Sequence, residues 1–174
     1  RKKSEKNPYE DLAIAELEGH TVGKDEEKTD AVTIIKKLGK DDAIYGLGDK
    51  PGCLNKRGYS YVNWNTDDPA PHVDSFKSLY KSIPFFIVLG DEYCYGIFAD
   101  NTYKTTFDFG YENTDYYFVE HEKGELDYYF MPGNDMAEVV GLYTSLTGTT
   151  PLYQRWIYGI RAAGAITHRM RCLI

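Results

Sequence analysis

The sequence predicts an all-β protein, an antiparallel β-sandwich followed by one C-terminal helix. Short runs rich in β-branched and aromatic residues recur through the middle of the chain, separated by turn-forming residues. Several runs alternate apolar and polar residues, as a strand with one face on a core does. With 174 residues, 42% of them hydrophobic, the chain can form one domain with its own core.

Seven strands are predicted, at residues 31–38, 43–47, 83–89, 93–99, 103–109, 116–121 and 125–131. In the last of these, Leu126, Tyr128 and Phe130 share one face. The connections at 90–92, 101–102, 110–114 and 123–124 contain residues that tolerate turn geometry. They predict antiparallel hairpins between neighbouring strands.

The two ends of the chain differ from this middle. Residues 1–28 form a charged lead-in without clear periodicity, and residues 29–148 form the sandwich domain. A helix is predicted at 134–147, with Asn134 as its N-cap and Gly148 as its stop. Its apolar positions are Met136, Val139, Val140, Tyr143 and Leu146. Residues 149–160 are predicted to be a linker.

Composition excludes several classes of function. A formal net charge of −7 and a pI near 5.1 argue against nucleic acid as a partner, and no run is apolar for long enough to cross a membrane. Cys53, Cys94 and Cys172 are far apart and are interpreted as free thiols, which favours the cytoplasm. The four histidines are scattered, so we predict no metal and no cofactor.

Residues 49–82 show no periodicity but contain many Gly, Pro, Asn, Asp and aromatic residues, which predicts an ordered functional loop. Within it, Trp64 is followed by Asn65, Thr66, Asp67 and Asp68. An indole can stack on a pyranose ring while Asp and Asn hydrogen bond to sugar hydroxyls, so this run is a candidate sugar site. The alternative is a core tryptophan followed by a plain turn.

No complete catalytic apparatus is visible. Glycoside hydrolysis needs two carboxyl groups that flank one bond, and the adjacent Asp67 and Asp68 would point in opposite directions. Glu125 and Asp127 are interpreted as a solvated sheet face, and no Gly-x-Ser-x-Gly elbow occurs. We therefore predict no catalytic residue in this chain.

Several motifs resemble one family. Residues 45–58 read Tyr-Gly-Leu-Gly-Asp-Lys-Pro-Gly-Cys-Leu-Asn-Lys-Arg-Gly, and Trp-Asn-Thr-Asp follows at 64–67. Together with Lys-Ser-Leu-Tyr-Lys-Ser-Ile-Pro-Phe-Phe at 77–86 and Gly-Ile-Phe-Ala-Asp-Asn-Thr-Tyr at 96–103, they resemble the N-terminal domain of glycoside hydrolase family thirty-one, the retaining α-glucosidases and α-xylosidases. The resemblance covers about residues 31–159. It implies a galactose-mutarotase-like β-sandwich placed before a (β/α)₈ barrel.

The resemblance also implies which domain carries the catalytic residues and which contributes to sugar binding. In this family two barrel aspartates act as nucleophile and acid/base, and the nucleophile motif Trp-x-Asp-Met-Asn-Glu is absent here. The N-terminal domain supplies a loop over the barrel mouth whose acidic residue hydrogen bonds the terminal sugar. By position in the motif this residue is Asp67, with Asp68 as second choice and Trp64 beside them.

The expected function is therefore that of an inactive N-terminal fragment of an α-glucosidase-like enzyme acting on terminal non-reducing α-linked glucose. Its expected partners are the barrel domain and an oligosaccharide or glucoside substrate. An α-xylosidase of the same family and a stand-alone carbohydrate-binding sandwich, in which loop 49–82 is the site, are the alternatives.

The last residues depart from the family pattern. After Trp-Ile-Tyr-Gly at 156–159, members continue into a segment like Ser-Arg-Trp-Gly-Tyr, whereas residues 161–166 here read Arg-Ala-Ala-Gly-Ala-Ile. The codons CGA-GCC-GCT-GGG-GCT-ATC would encode the chain's residues and, read from the last base of the first codon, also Ser-Arg-Trp-Gly-Tyr. We expect 161–174 to be an out-of-frame tail, with a divergent natural terminus as the alternative.

Overall fold

The computed structural model describes residues 31–68 and 71–158. The predicted lead-in at 1–28 and the predicted tail at 161–174 lie outside the described residues. The strands are β1 (Val32–Lys37), β2 (Ala43–Gly48), β3 (Ser60–Asn63), β4 (Ser82–Leu89), β5 (Cys94–Ala99), β6 (Thr105–Asp108), β7 (Tyr116–His121) and β8 (Tyr128–Gly133). They are followed by helix α1 (Met136–Thr147) and a 3₁₀ turn at Arg155–Tyr158.

The strands form two four-stranded antiparallel sheets. Sheet A has the order β1-β7-β6-β3 and sheet B the order β2-β4-β5-β8. Their facing sides enclose the main core, in which Phe86 packs against Phe107, Phe109 and Tyr117. Leu126, Tyr128 and Phe130 pack against this core, on the shared face that their alternation predicts. The prediction of an antiparallel sandwich with a C-terminal helix is confirmed.

Helix α1 forms a third layer on the outer side of sheet B. Val139 is fully buried there, and Tyr143 stacks on Phe85 with ring centroids 4.0 Å apart. Gly96 permits this approach, because a Cβ at that position would lie 2.7 Å from a methyl group of Val139. Val140 and Leu146, which the sequence pattern places on the apolar side, are exposed instead.

Three sequence predictions need correction. The helix is capped by Asp135 rather than Asn134: the Asp135 carboxylate accepts from the Glu138 N–H, while Asn134 donates to the Glu138 carboxylate. Residues 49–82 are not all loop, because β3 lies within them. Two of the four predicted hairpins are wrong, since the connections at 101–102 and 123–124 lead from one sheet to the other.

The pairing of β2 with β4 contains a register shift. Gly46 lies opposite Phe86, but Gly48 lies opposite Ser82, so the stretch 83–85 of β4 is out of step with β2. Pro84 lies in this stretch. A proline is normally excluded from an interior strand such as β4 because it lacks the N–H that the ladder needs. The register shift removes that requirement and sets where the first residues of β4 point.

Within the part of the chain that the structure describes, no helix is long and apolar enough to cross a membrane.

Candidate functional site

The first half of the predicted loop, residues 49–63, is tied to the sandwich by buried cations. The Lys56 ammonium donates to the carbonyl oxygens of Lys50 (3.3 Å) and Pro51 (3.1 Å) and lies over the Tyr61 ring. The Tyr61 hydroxyl also donates to Pro51, at 2.7 Å. Lys50 donates to the Val62 carbonyl, and burial lowers the pKa of its ammonium from 10.5 to about 8. The stretch that leads into β3 is thereby fixed in place.

The second half carries the predicted site residues on its exposed side. Trp64 is 58% exposed and is therefore not the core tryptophan of the alternative interpretation. Asp67 is exposed, and its carboxylate accepts no hydrogen bond from the described residues. Asp68 is half-buried, and its carbonyl oxygen accepts from Tyr80 and from His72.

Short hydrogen-bonded links hold the Trp64 end of this segment. The Trp64 carbonyl accepts from the hydroxyls of Ser78 and Thr66. The Thr66 N–H donates to the Leu79 carbonyl at 3.0 Å. The backbone of residues 64–66 is therefore held although the side chains around it face solvent.

A cleft of about 520 Å³ opens beside Trp64, at the end of β3 and the start of β4. It is lined by nine residues, none of them charged: Asn63, Trp64, Asn65, Ser82, Pro84, Asn101, Thr102, Tyr103 and Thr105. The volume falls in the range of about 300–1,000 Å³ that is typical of small-molecule sites. A ligand that enters this cleft meets a neutral surface.

The floor of the cleft contains polar atoms without protein partners. Asn63 is 8% exposed, and neither its amide nitrogen nor its amide oxygen is hydrogen bonded; the Ser82 hydroxyl is likewise buried and unpaired. Buried polar groups in native proteins nearly always have a partner. These three atoms are sealed from solvent beneath the cleft, and none has a hydrogen-bond partner among the described residues.

One imidazole lies directly behind this floor. His121 is fully buried, its Nδ1 lies 2.8 Å from the Thr105 hydroxyl, and its Nε2 has no partner. Burial lowers the pKa of His121, which favours the neutral ring. Because Thr105 also lines the cleft, the hydroxyl links His121 to the floor.

The opposite wall is formed by Tyr103, which is 51% exposed. Its N–H donates to the Asn101 side chain, whose amide in turn donates to the carbonyls of Lys123 and Glu125. Gly124 (φ +95°) allows the ring to pack closely, since a Cβ there would lie 3.1 Å from it. The exposed tyrosine is thus supported from behind.

The structure brings together only part of the predicted site. Trp64 lines the cleft, but Asp67 and Asp68 do not. Sequence reasoning missed Asn63, Ser82 and Tyr103, which come from β3, β4 and the β5–β6 connection. No local motif joins these three residues, because they meet only through strand pairing across the sandwich.

The carboxylates described here have structural or solvated settings. Burial raises the pKa of Asp108, against the effect of the hydrogen bonds that its carboxylate accepts from Tyr111 and Glu112. Glu125 and Asp127 are exposed. Among the residues that the structure describes, no group of three or more His, Cys, Asp and Glu side chains could hold a metal, and Cys53 is an exposed free thiol. The arrangement is suited to binding a neutral polar ligand.

The fold is an antiparallel β-sandwich whose exposed loop presents an aromatic and an acidic side chain, Trp64 and Asp67. The family model of the glycosyl hydrolase 31 N-terminal galactose mutarotase-like domain matches residues 3–108. The chain belongs to this family.

Curated relatives and solved structures agree with this assignment. The chain is 44% identical over 128 residues to "Alpha-glucosidase 2" of Bacillus thermoamyloliquefaciens, a match that covers 74% of this chain and 16% of that protein. It is 34% identical to "Alpha-xylosidase XylQ" of Lactiplantibacillus pentosus, covering 71% and 15% respectively. A GH31 dextranase of Flavobacterium johnsoniae complexed with glucose shares 45% identity at a TM-score of 0.61, covering 66% of this chain and 14% of the dextranase. The chain thus spans only a small part of the length of these proteins.

Proposed function

We propose that this chain is the N-terminal domain of a retaining α-glucosidase-type glycoside hydrolase that acts on terminal non-reducing α-linked glucose. The catalytic aspartates of such an enzyme belong to its barrel domain. In the proposed enzyme one barrel aspartate attacks the anomeric carbon, and the other protonates the leaving oxygen and then activates water. The role of the sandwich is to support the barrel and to complete its sugar subsite.

The observation that carries the proposal is the setting of Asp67. Its carboxylate is exposed and unpaired among the described residues, on a segment whose backbone is fixed by Thr66 and Ser78. A carboxylate held in this way can accept hydrogen bonds from two neighbouring hydroxyls of one sugar. The 44% identity to an α-glucosidase supports the glucoside over the xyloside as substrate.

The proposed location is the cytoplasm. Cys53 is an exposed free thiol. Free thiols persist in a reducing compartment, which supports this proposal.

A domain exchange tests the role of Asp67. Residues 31–152 of this chain replace the matching domain of the Bacillus α-glucosidase, and kcat/KM is measured with p-nitrophenyl α-D-glucoside and α-D-xyloside. Asp67→Asn is expected to lower kcat/KM for the glucoside by about 10- to 100-fold, the usual effect of losing a hydrogen bond to a charged group. Asp91→Asn, an equally exposed carboxylate in the β4–β5 turn, is the matched control and is expected to change nothing.

Three results would count against the proposal. Equal rates for Asp67→Asn and Asp91→Asn would remove Asp67 from the subsite, and a loss confined to Asp68→Asn would transfer the role to that residue. The isolated 174-residue chain is expected to hydrolyse neither substrate. Turnover that persists through repurification would show that the chain carries its own catalytic groups.

A further inference from the structure

Lys50 is a half-buried lysine whose ammonium group has few partners. It makes one hydrogen bond to a described residue, the donation to the Val62 carbonyl oxygen at 3.2 Å, and it forms no ion pair within the described part of the chain. Asp49 is its neighbour in sequence, but the Asp49 side chain is exposed to solvent. A desolvated cation that lacks a paired carboxylate favours its neutral form.

A second ammonium group lies close by and adds to this effect. The Lys56 ammonium donates to the carbonyl oxygens of Lys50 and Pro51. Burial is the largest cause of the low Lys50 pKa of about 8; the Lys56 charge lowers this pKa further, against the opposing effect of Asp49. At pH 7.5 roughly a quarter of the molecules then carry a neutral amine at this position, compared with about 0.1% for an exposed lysine in water.

The neutral amine at Lys50 is held as a nucleophile should be. When one of its N–H groups donates to the Val62 carbonyl oxygen, the nitrogen lone pair points away from that oxygen. The amine is half-buried, so a small reagent reaches it more easily than a bulky one. We propose that Lys50 is a site of covalent acylation by small acyl phosphates, which transfer their acyl group to this nitrogen in preference to the exposed lysines.

The proposed reaction needs only the lysine and the acyl phosphate. The Lys50 ammonium first loses one proton to solvent. The free amine then attacks the acyl carbon, a C–N bond forms, and the bond from the acyl carbon to the phosphate oxygen breaks. The phosphate takes a second proton from the nitrogen and leaves as hydrogen phosphate. The remaining amide N–H can still donate to the Val62 carbonyl oxygen, and the product no longer holds a desolvated charge.

This inference goes beyond the proposed function, because the acylation needs no barrel and no sugar. Either can fail without the other. Asp67→Asn tests the proposed function by glucoside hydrolysis in the exchanged enzyme, whereas acylation of Lys50 is measured by mass spectrometry in the 174-residue chain.

The test measures how fast individual lysines of the 174-residue chain are acetylated by acetyl phosphate. After short reaction times at pH 7.5 the chain is digested with chymotrypsin, and the acetylated fraction at each lysine is read by peptide fragmentation in a mass spectrometer. Lys104 and Lys123, which are exposed, serve as internal controls. We expect an initial rate at Lys50 about tenfold above theirs, because its lower basicity and partial burial offset part of the gain in neutral amine.

The pH dependence of these rates separates a neutral amine from mere accessibility. The rate at Lys50 is expected to level off above about pH 9, whereas the rates at Lys104 and Lys123 should still rise about tenfold per pH unit there. Asp49→Asn removes the carboxylate that favours the charged form, so the Lys50 rate at pH 7.5 should increase about twofold. Asp91→Asn, which changes an exposed carboxylate in the β4–β5 turn, is the matched control and should leave it unchanged.

Four results would overturn the proposal. The first is an initial rate at Lys50 no greater than the rates at Lys104 and Lys123. The second is a Lys50 rate that rises in parallel with theirs above pH 9. The third is slower acetylation of Lys50 in Asp49→Asn than in the natural chain. The fourth is a preference for Lys50 that persists in denaturing urea, because it would then come from the local sequence and not from the fold.

Discussion

The two halves of segment 49–82 contain similar residues but differ in how these residues are held. The first half buries its cations against carbonyl oxygens and packs Tyr61 into the core. The second half leaves Trp64 and Asp67 exposed and fixes only the backbone beneath them. The first half therefore anchors the segment, and the second half exposes the side chains of Trp64 and Asp67 to solvent. A rigid anchor allows presented groups to stay in one place without being buried, which is what recognition needs.

The strongest test of this contrast is the loss of the buried ammonium. Lys56→Met removes both donations to residues 50 and 51 and leaves the Lys50 carbonyl without that partner. The free energy of unfolding is expected to fall by about 2 kcal/mol in a urea titration. Asn65→Ala, in the exposed half, is the control and should cost less than about 0.5 kcal/mol. Equal losses for the two variants would abolish the distinction.

The pH dependence of stability sharpens the contrast. In the folded chain the Lys50 pKa is about 8, compared with 10.5 when the chain is unfolded. Between these values the unfolded chain holds the proton and the folded chain does not, so the free energy of unfolding rises with pH across this window. After allowance for solvent screening we expect a gain of about 1 kcal/mol.

Lys50→Met is the reference for this measurement, made by urea unfolding at pH 7.5 and 10. Tyrosines with raised pKa values, such as Tyr61, titrate in both proteins and cancel in the comparison. The free energy of unfolding of the natural chain, minus that of Lys50→Met, should therefore increase from pH 7.5 to pH 10. A constant difference would mean that Lys50 is not desolvated in the folded state.

The smallest effect concerns the exposed half. Ser78→Ala removes the hydroxyl that bonds to the Trp64 carbonyl and to Thr66. We expect a cost of about 0.5–1 kcal/mol in the free energy of unfolding, because the bond is solvent-accessible, together with faster exchange of the Thr66 amide hydrogen. Unchanged exchange at Thr66 would show that the Leu79 carbonyl alone holds this segment.

The strands were predictable wherever one apolar face repeats, as at Leu126, Tyr128 and Phe130. Strand β3 was not predicted because its four residues follow a Gly- and Pro-rich stretch. Only two of them, Tyr61 and Asn63, are buried, which is too short an alternation to recognise. The predictions of hairpins at 101–102 and 123–124 were wrong for another reason. Turn residues show that a chain reverses, but they do not show which sheet it enters next.

The candidate site was predictable only in its local part. Trp64 and the acidic residues after it form a continuous run, so the sequence pointed to them. Asn63, Ser82 and Tyr103 are widely separated along the chain and are brought together by the β3–β6 pairing and by the crossing between sheets. Which polar atoms remain unpaired is a property of the packed structure and leaves no mark in a single sequence.

The register shift at Pro84 has a consequence for how such a domain can change over generations. Because Ile83 and Pro84 pair with neither β2 nor β5, a residue gained or lost there need not displace the ladder on either side. A change in chain length at this point would change which side chain follows Ser82 at the cleft, while the two sheets keep their alignment. The sandwich can thereby be inherited intact by descendants that differ in what their cleft admits.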